Sequence, residues 1–121
     1  MQWRRPDEQL VGLLAKAMQS FVCQKRTMFG CPAYFANDNM FAGVFADSLY
    51  VRLPDTERQR LLGEQPSAAI FEPMPGRPMR EYVSLPPAVT ADGEALAGWL
   101  ERAYTYALAL PPRANKAARH N

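Results

Sequence analysis

Histidine is almost missing from this 121-residue chain: the one copy, His120, is the next-to-last residue. The body of the chain therefore holds no imidazole to serve as a general base near neutral pH, to activate a cysteine nucleophile, or to ligate a metal. Cysteine is as scarce. Cys23 and Cys31 lack the close paired spacing of a structural zinc site, and His120 does not supply it. Two thiols in a chain with an adequate apolar core read as reduced cysteines, not as a disulfide framework. The glycines are scattered, and none opens a helix in the spacing of a phosphate-binding loop. Gly30 and Gly76 read as backbone-geometry positions. Carboxylates such as Glu72 and Glu81 remain as candidates for chemistry, but nothing in the spacing of the acids supports it. The expectation is a protein that is not an enzyme, with no catalytic residue, no cofactor and no metal.

Long apolar runs are also missing. The longest, Met40 to Ala46, is far short of the roughly 20 residues a membrane-spanning helix needs. Met1-Gln2-Trp3-Arg4-Arg5 has the basic character of a signal-peptide start, but Pro6, Asp7, Glu8 and Gln9 follow where an apolar stretch is required. A cytoplasmic chain with no membrane contact is expected. Nor is there an excess of one charge. Fourteen Lys and Arg against twelve Asp and Glu give +2, and Arg113, Lys116 and Arg119 lie after Leu110 with no acid among them. The remainder has eleven bases and twelve acids, a net of −1. That is not the basic stripe of a protein that clamps nucleic acid unaided.

What is present is a well-patterned globular chain. Hydrophobic residues make up 48% and charged residues 21%, enough for one core in one compact domain. The expected organisation is an N-terminal arm over 1–6, a domain over 7–110 and a flexible basic tail over 111–121.

From Asp7 to Phe21, Leu10, Leu13, Leu14, Ala17, Met18 and Phe21 recur at offsets of three and four, which predicts an amphipathic helix with Pro6, Asp7 and Glu8 in its first turn. After a basic connector, Cys31–Asn37 and Met40–Ala46 read as a hairpin turning at Asp38-Asn39. Met40, Ala42 and Val44 fall on one face of the second run, and Phe41, Gly43 and Phe45 on the other. Leu49–Leu53 completes a three-stranded meander. Pro54-Asp55-Thr56-Glu57 starts a short helix that Gly63 can end. Ala68–Glu72 and Arg80–Leu85 read as strands, with Pro73, Pro75, Gly76 and Pro78 making a stiff loop that forbids regular pairing. Leu96, Trp99, Leu100, Ala103, Tyr104, Ala107 and Leu108 predict the strongest helix, capped by Thr90 or Asp92 and stopped by Pro111-Pro112. The order α-β-β-β-α-β-β-α gives an α+β fold with one five-stranded, mainly antiparallel sheet and helices packed on it.

The words between Lys25 and Leu85 resemble the N-terminal domain of the TfoX/Sxy competence regulators. The marks are Arg26-Thr27-Met28-Phe29-Gly30, Met40-Phe41-Ala42, Leu49-Tyr50-Val51-Arg52, and Phe71 through Gly76-Arg77-Pro78-Met79 to Tyr82 and Pro86, followed by the closing helix with Trp99-Leu100. The resemblance implies a two-layer α-β(3)-α-β(2)-α fold shared with type III secretion chaperones, a bacterial source, and a protein-interaction role in transcriptional regulation. Full-length competence regulators carry a second, C-terminal helical domain, and the present chain matches the first.

Two surfaces are candidates for that role. The loop Glu72–Arg80 carries Met74, Arg77, Met79 and Arg80, soft apolar and charged groups on a proline-stiffened scaffold, suited to a protein partner. The plainer reading is that Met79 and Tyr82 seal one end of the core. Alternatively, Arg4, Arg5, Lys25 and Arg26 flank the first helix and, with Trp3 and the basic tail, offer phosphate contacts and stacking for direct nucleic-acid binding. The plainer reading there is a solvated charge cluster. A strand edge or an uncovered sheet face is also able to pair with a second copy, so a homodimer is a further expectation.

Overall fold

The computed structural model describes residues 5–28 and 30–112; Trp3, Arg4, Phe29, Arg113, Lys116, Arg119 and His120 lie outside them. Helix α1 spans Glu8–Ala17 and closes with a single 3-10 turn, Met18–Ser20. Asp7 sits just before the helix as its cap: one carboxylate oxygen accepts from the N–H of Gln9 at 2.8 Å and of Leu10 at 3.2 Å. Its own N–H donates to the Ala46 carbonyl at 2.7 Å, which fixes the start of α1 on the sheet.

The sheet has six strands, not five. The strands are β1 (Gln24–Met28), β2 (Cys31–Ala36), β3 (Asn39–Phe45), β4 (Ser48–Arg52), β5 (Ala69–Met74) and β6 (Arg77–Ser84), in the order β1-β2-β3-β4-β6-β5, with every neighbouring pair antiparallel. The added strand is β1, where the sequence reads as a basic connector. Gln24 through Thr27 are exposed on both faces, so burial leaves no alternation there. The strand is held by its ladder to β2 instead.

The β2–β3 turn is Asn37-Asp38, one residue earlier than expected, with φ of 49° and 64°. Two consecutive left-handed residues are what a type I′ hairpin requires, and Asn and Asp tolerate them. The register slips at Phe41, since Tyr34 pairs with Ala42 while Phe35 pairs with Met40. This bulge corrects the face assignment: Phe41, Ala42 and Val44 join the helix-side core, and Met40 packs on the opposite face. Phe41 then meets Tyr104 and Phe21 with ring centroids 5.4 and 6.3 Å apart.

Helix α2 spans Asp55–Glu64 and runs through Gly63. No side chain caps its start; the Arg58 guanidinium, donating to the Leu53 carbonyl at 2.8 Å, ties its first turn to the end of β4 instead. The proline-rich stretch after Phe71 is a hairpin and not a loop. Phe71 pairs with Met79 and Met74 with Arg77, so Glu72 and Pro73 together stand opposite Pro78. A bulge absorbs the residues that cannot donate to a ladder. Pro75-Gly76, with Gly76 at φ 77°, supplies the order a type II turn needs. A short helix α3, Pro87–Thr90, precedes α4, Gly93–Ala109, whose cap is Asp92, accepting from Glu94 and Ala95 at 3.1 and 3.2 Å.

All helices pack on one face of the sheet. Leu14, Leu61, Val89, Leu96, Trp99, Leu100, Ala103 and Ala107 meet Tyr34, Phe41, Val44, Leu49, Val51 and Val83 in the principal core. Each fully buried large aliphatic side chain contributes about 1.5–3 kcal/mol. The guanidinium groups of Arg102 and Arg60 approach the Trp99 ring, 4.7 and 5.8 Å from its centroid.

Candidate functional site

The face without helices buries a second, aromatic layer: Phe35, Met40, Tyr50, Phe71 and Tyr82, with Met28, Phe45 and Met79 half-buried around it. Strand alternation places Tyr50 here while Leu49 and Val51 face the helices. Phe71 belongs to the outermost strand, yet it stacks on Tyr50 of β4 at 4.2 Å and meets Phe45 of β3 edge-on at 5.9 Å. The β5–β6 hairpin therefore curls over this face. Tyr82 donates its hydroxyl to the Met40 carbonyl at 3.1 Å and locks the curl. Burial of the Tyr50 hydroxyl beside Tyr82 and Cys31 pushes its pKa well above the usual phenol range.

This curl decides where the expected partner-binding residues lie. Met74 and Arg77 are paired across the hairpin tip, where the Glu72 carboxylate accepts from the Gly76 N–H at 2.5 Å. Met79 packs against the aromatic layer and lines, with Arg52, Arg80, Glu81 and Tyr82, a depression of about 260 Å³. Met79 and Tyr82 both pack into this layer. Arg77 and Arg80 are exposed, and neither makes an ion pair with another described residue. Sequence reasoning missed the pairing of Arg52 with Glu81, 2.6 Å apart beside them. Their separation of 29 positions left no local signal, and only the β4–β6 register brings them together.

The other candidates are spread out. Arg5 is exposed just before α1, whereas Lys25 and Arg26 lie in the edge strand β1. Arg26 is engaged: its guanidinium meets Asp38 at 3.0 Å and lies over the Phe35 ring at 4.4 Å. Cys23 and Cys31 are not joined by a disulfide. The four strand steps from Gln24 to Met28, which faces Cys31, already span about 13 Å, beyond disulfide reach. Burial raises the Cys23 pKa, which disfavours its thiolate.

A groove of about 670 Å³ runs between α2 and α4 past Pro54, Glu57, Arg102 and Tyr106. Glu57 and Arg102 approach each other at 3.2 Å, and Arg60 adds a longer contact to Glu57 at 3.9 Å. Glu57 is thus compensated, while Glu101, also in the lining, makes no ion pair with another described residue. Among the described residues no three His, Cys, Asp or Glu side chains cluster to hold a metal, and no helix is long and apolar enough to cross a membrane.

A family model for the TfoX N-terminal domain matches residues 14–107, from α1 through nearly all of α4. No curated protein matches the sequence. The matched span takes in both cores, the six strands and the curled hairpin, and the chain belongs to the TfoX N-terminal domain family.

Proposed function

We propose that this domain acts by binding a protein partner in transcriptional regulation inside the cell, and that it catalyses no reaction of its own. Membership of a regulator family supports the setting. The observation that carries the reading is the pair Arg77 and Arg80, exposed and without an ion pair to another described residue, on a hairpin whose root is fixed by Phe71 and Tyr82. A rigid element presenting unneutralised guanidinium groups beside half-buried methionines loses little entropy on docking. Guanidinium groups also favour bidentate contact with carboxylates.

The test is capture of partners on tagged protein from nuclease-treated lysate of the source cell, with an Arg77→Glu/Arg80→Glu variant alongside. A protein retained by the wild type and lost by the variant supports the reading. Equal retention by both moves the contact elsewhere, and recovery of nucleic acid alone replaces the reading with direct nucleic-acid binding.

A further inference from the structure

The two edges of the sheet are not equivalent. The β5 edge carries Pro73, which has no N–H to offer, and register shifts flank Phe71. The β1 edge has neither device. Its ladder to β2 is regular from Gln24 to Met28, and among the described residues no other strand pairs with its outer side. A row of backbone donors and acceptors is thus open along a strand whose side chains, Gln24 through Thr27, are exposed.

Beside the start of that strand lies a groove of about 410 Å³, lined by Val22, Cys23, Gln24, Arg26, Phe35 and Asp38 among others. Val22 is 89% exposed, the most exposed large hydrophobic side chain among the described residues. Its backbone is nevertheless anchored, because the Tyr104 hydroxyl donates to the Val22 carbonyl at 2.9 Å. An open strand edge with a groove beside it, where Val22 and Phe35 offer apolar surface among the polar Gln24, Asn37 and Asp38, is the arrangement by which extended peptides are recognised: the main chain supplies affinity and the groove supplies selectivity.

Charge selects the occupant. Lys25 makes no ion pair with another described residue, and Arg26 has one. The two are adjacent, so they project to opposite faces of the strand. A second copy adding its own β1 brings two more cations to the same short ladder, where like charges oppose pairing.

We propose that the free edge of β1 is a strand-addition site for an extended segment of a protein partner that carries two adjacent acidic residues and an apolar side chain for the Val22 groove. The acids meet Lys25 and Arg26, one on each face. The site lies at the opposite edge of the sheet from the β5–β6 hairpin and does not depend on the role assigned to Arg77 and Arg80.

The probe is a short fluorescent peptide of threonine and valine with two adjacent glutamates, titrated into the full chain and followed by anisotropy and amide hydrogen exchange. Saturable binding is expected, with slowed exchange at Gln24–Met28. Lys25→Glu/Arg26→Glu, which gives up one surface ion pair and the contact with the Phe35 ring, is expected to stay folded with a slightly lowered melting temperature and to weaken binding by about tenfold or more. The Arg77→Glu/Arg80→Glu variant is expected to bind the peptide as wild type does. The proposal is overturned by absence of saturable binding, by unchanged affinity in Lys25→Glu/Arg26→Glu, by binding without protection of β1, or by loss of binding in the hairpin variant. It is equally overturned if sedimentation shows a dimer that protects β1 with no peptide present, or if a lysine-substituted peptide binds as tightly.

Discussion

The Asn39 side-chain amide donates to the Ala107 carbonyl at 3.0 Å, joining the first residue of β3 to the last turn of α4 across 68 positions of sequence. The same amide reaches the Asn37 carbonyl at 3.1 Å, and the Asn37 side chain donates to the Leu110 carbonyl at 2.9 Å. Helix ends leave carbonyl groups without intrahelical donors, and here the β2–β3 turn supplies them. Asn39 is 3% exposed, so nothing replaces it if it is removed. Asn39→Leu is expected to lower unfolding free energy in urea by about 1–3 kcal/mol, and the more exposed Asn37→Gly by less than about 1 kcal/mol. Equal costs for the two would mean that burial does not set the strength of this clamp.

Trp99 packs into the principal core under two guanidinium groups. Trp99→Ala is expected to cost about 3–5 kcal/mol, a large fraction of the stability of a domain this size. A melting temperature equal to wild type would show that the indole is not a structural anchor.

Gly43 faces Tyr50 across the β3–β4 ladder so closely that a Cβ at position 43 would overlap the Tyr50 hydroxyl and its ring carbon, and would touch the Pro32 carbonyl. Gly43→Ala is expected to destabilise by about 1–3 kcal/mol through overpacking. In a Tyr50→Leu background the same change should cost less, because the two sites share one space. A double-mutant cycle with no coupling energy would refute the contact.

The buried Tyr50 hydroxyl titrates well above the phenol range in the folded state, whereas the unfolded side chain titrates near 10. Above that pH the folded chain holds a proton that the unfolded chain has released, so stability falls as pH rises. The contribution is complete below about pH 10 and falls by up to about 1.4 kcal/mol per pH unit above it. Urea midpoints between pH 8 and 11.5 should decline less steeply for Tyr50→Phe than for wild type. Cys23, also raised by burial, begins the decline at lower pH, and Cys23→Ser should remove that first part.

Most of the fold was legible because burial writes a period into sequence. The three- and four-residue spacing of α4 and the two-residue spacing of β4 both have one face in the core, and both were read correctly. Strand β1 buries almost nothing and so carries no period. The Phe41 bulge was invisible for a different reason: an extra residue in a ladder is a property of two strands together. The prolines after Phe71 misled because each one forbids a hydrogen bond only at its own position, and the hairpin keeps Pro73 and Pro78 out of its paired positions. At the candidate surface Arg77 and Arg80 were found from composition, while the Arg52–Glu81 pair beside them needed the register of β4 against β6.

That register has a consequence for how the chain is made. Because β6 rather than β5 lies against β4, the inner edge of the meander stays open on the ribosome until residues through Ser84 have emerged. A nascent chain exposes that edge, with the apolar face of Leu49 and Val51, for the whole time that α2 and the hairpin are being synthesised. The helix that covers the face comes last, and its final turn is the one that Asn39 has waited to hold. Truncation within α4 therefore removes the longest cover and the latch in a single step, leaving the apolar side of the sheet with only the shorter helices on it.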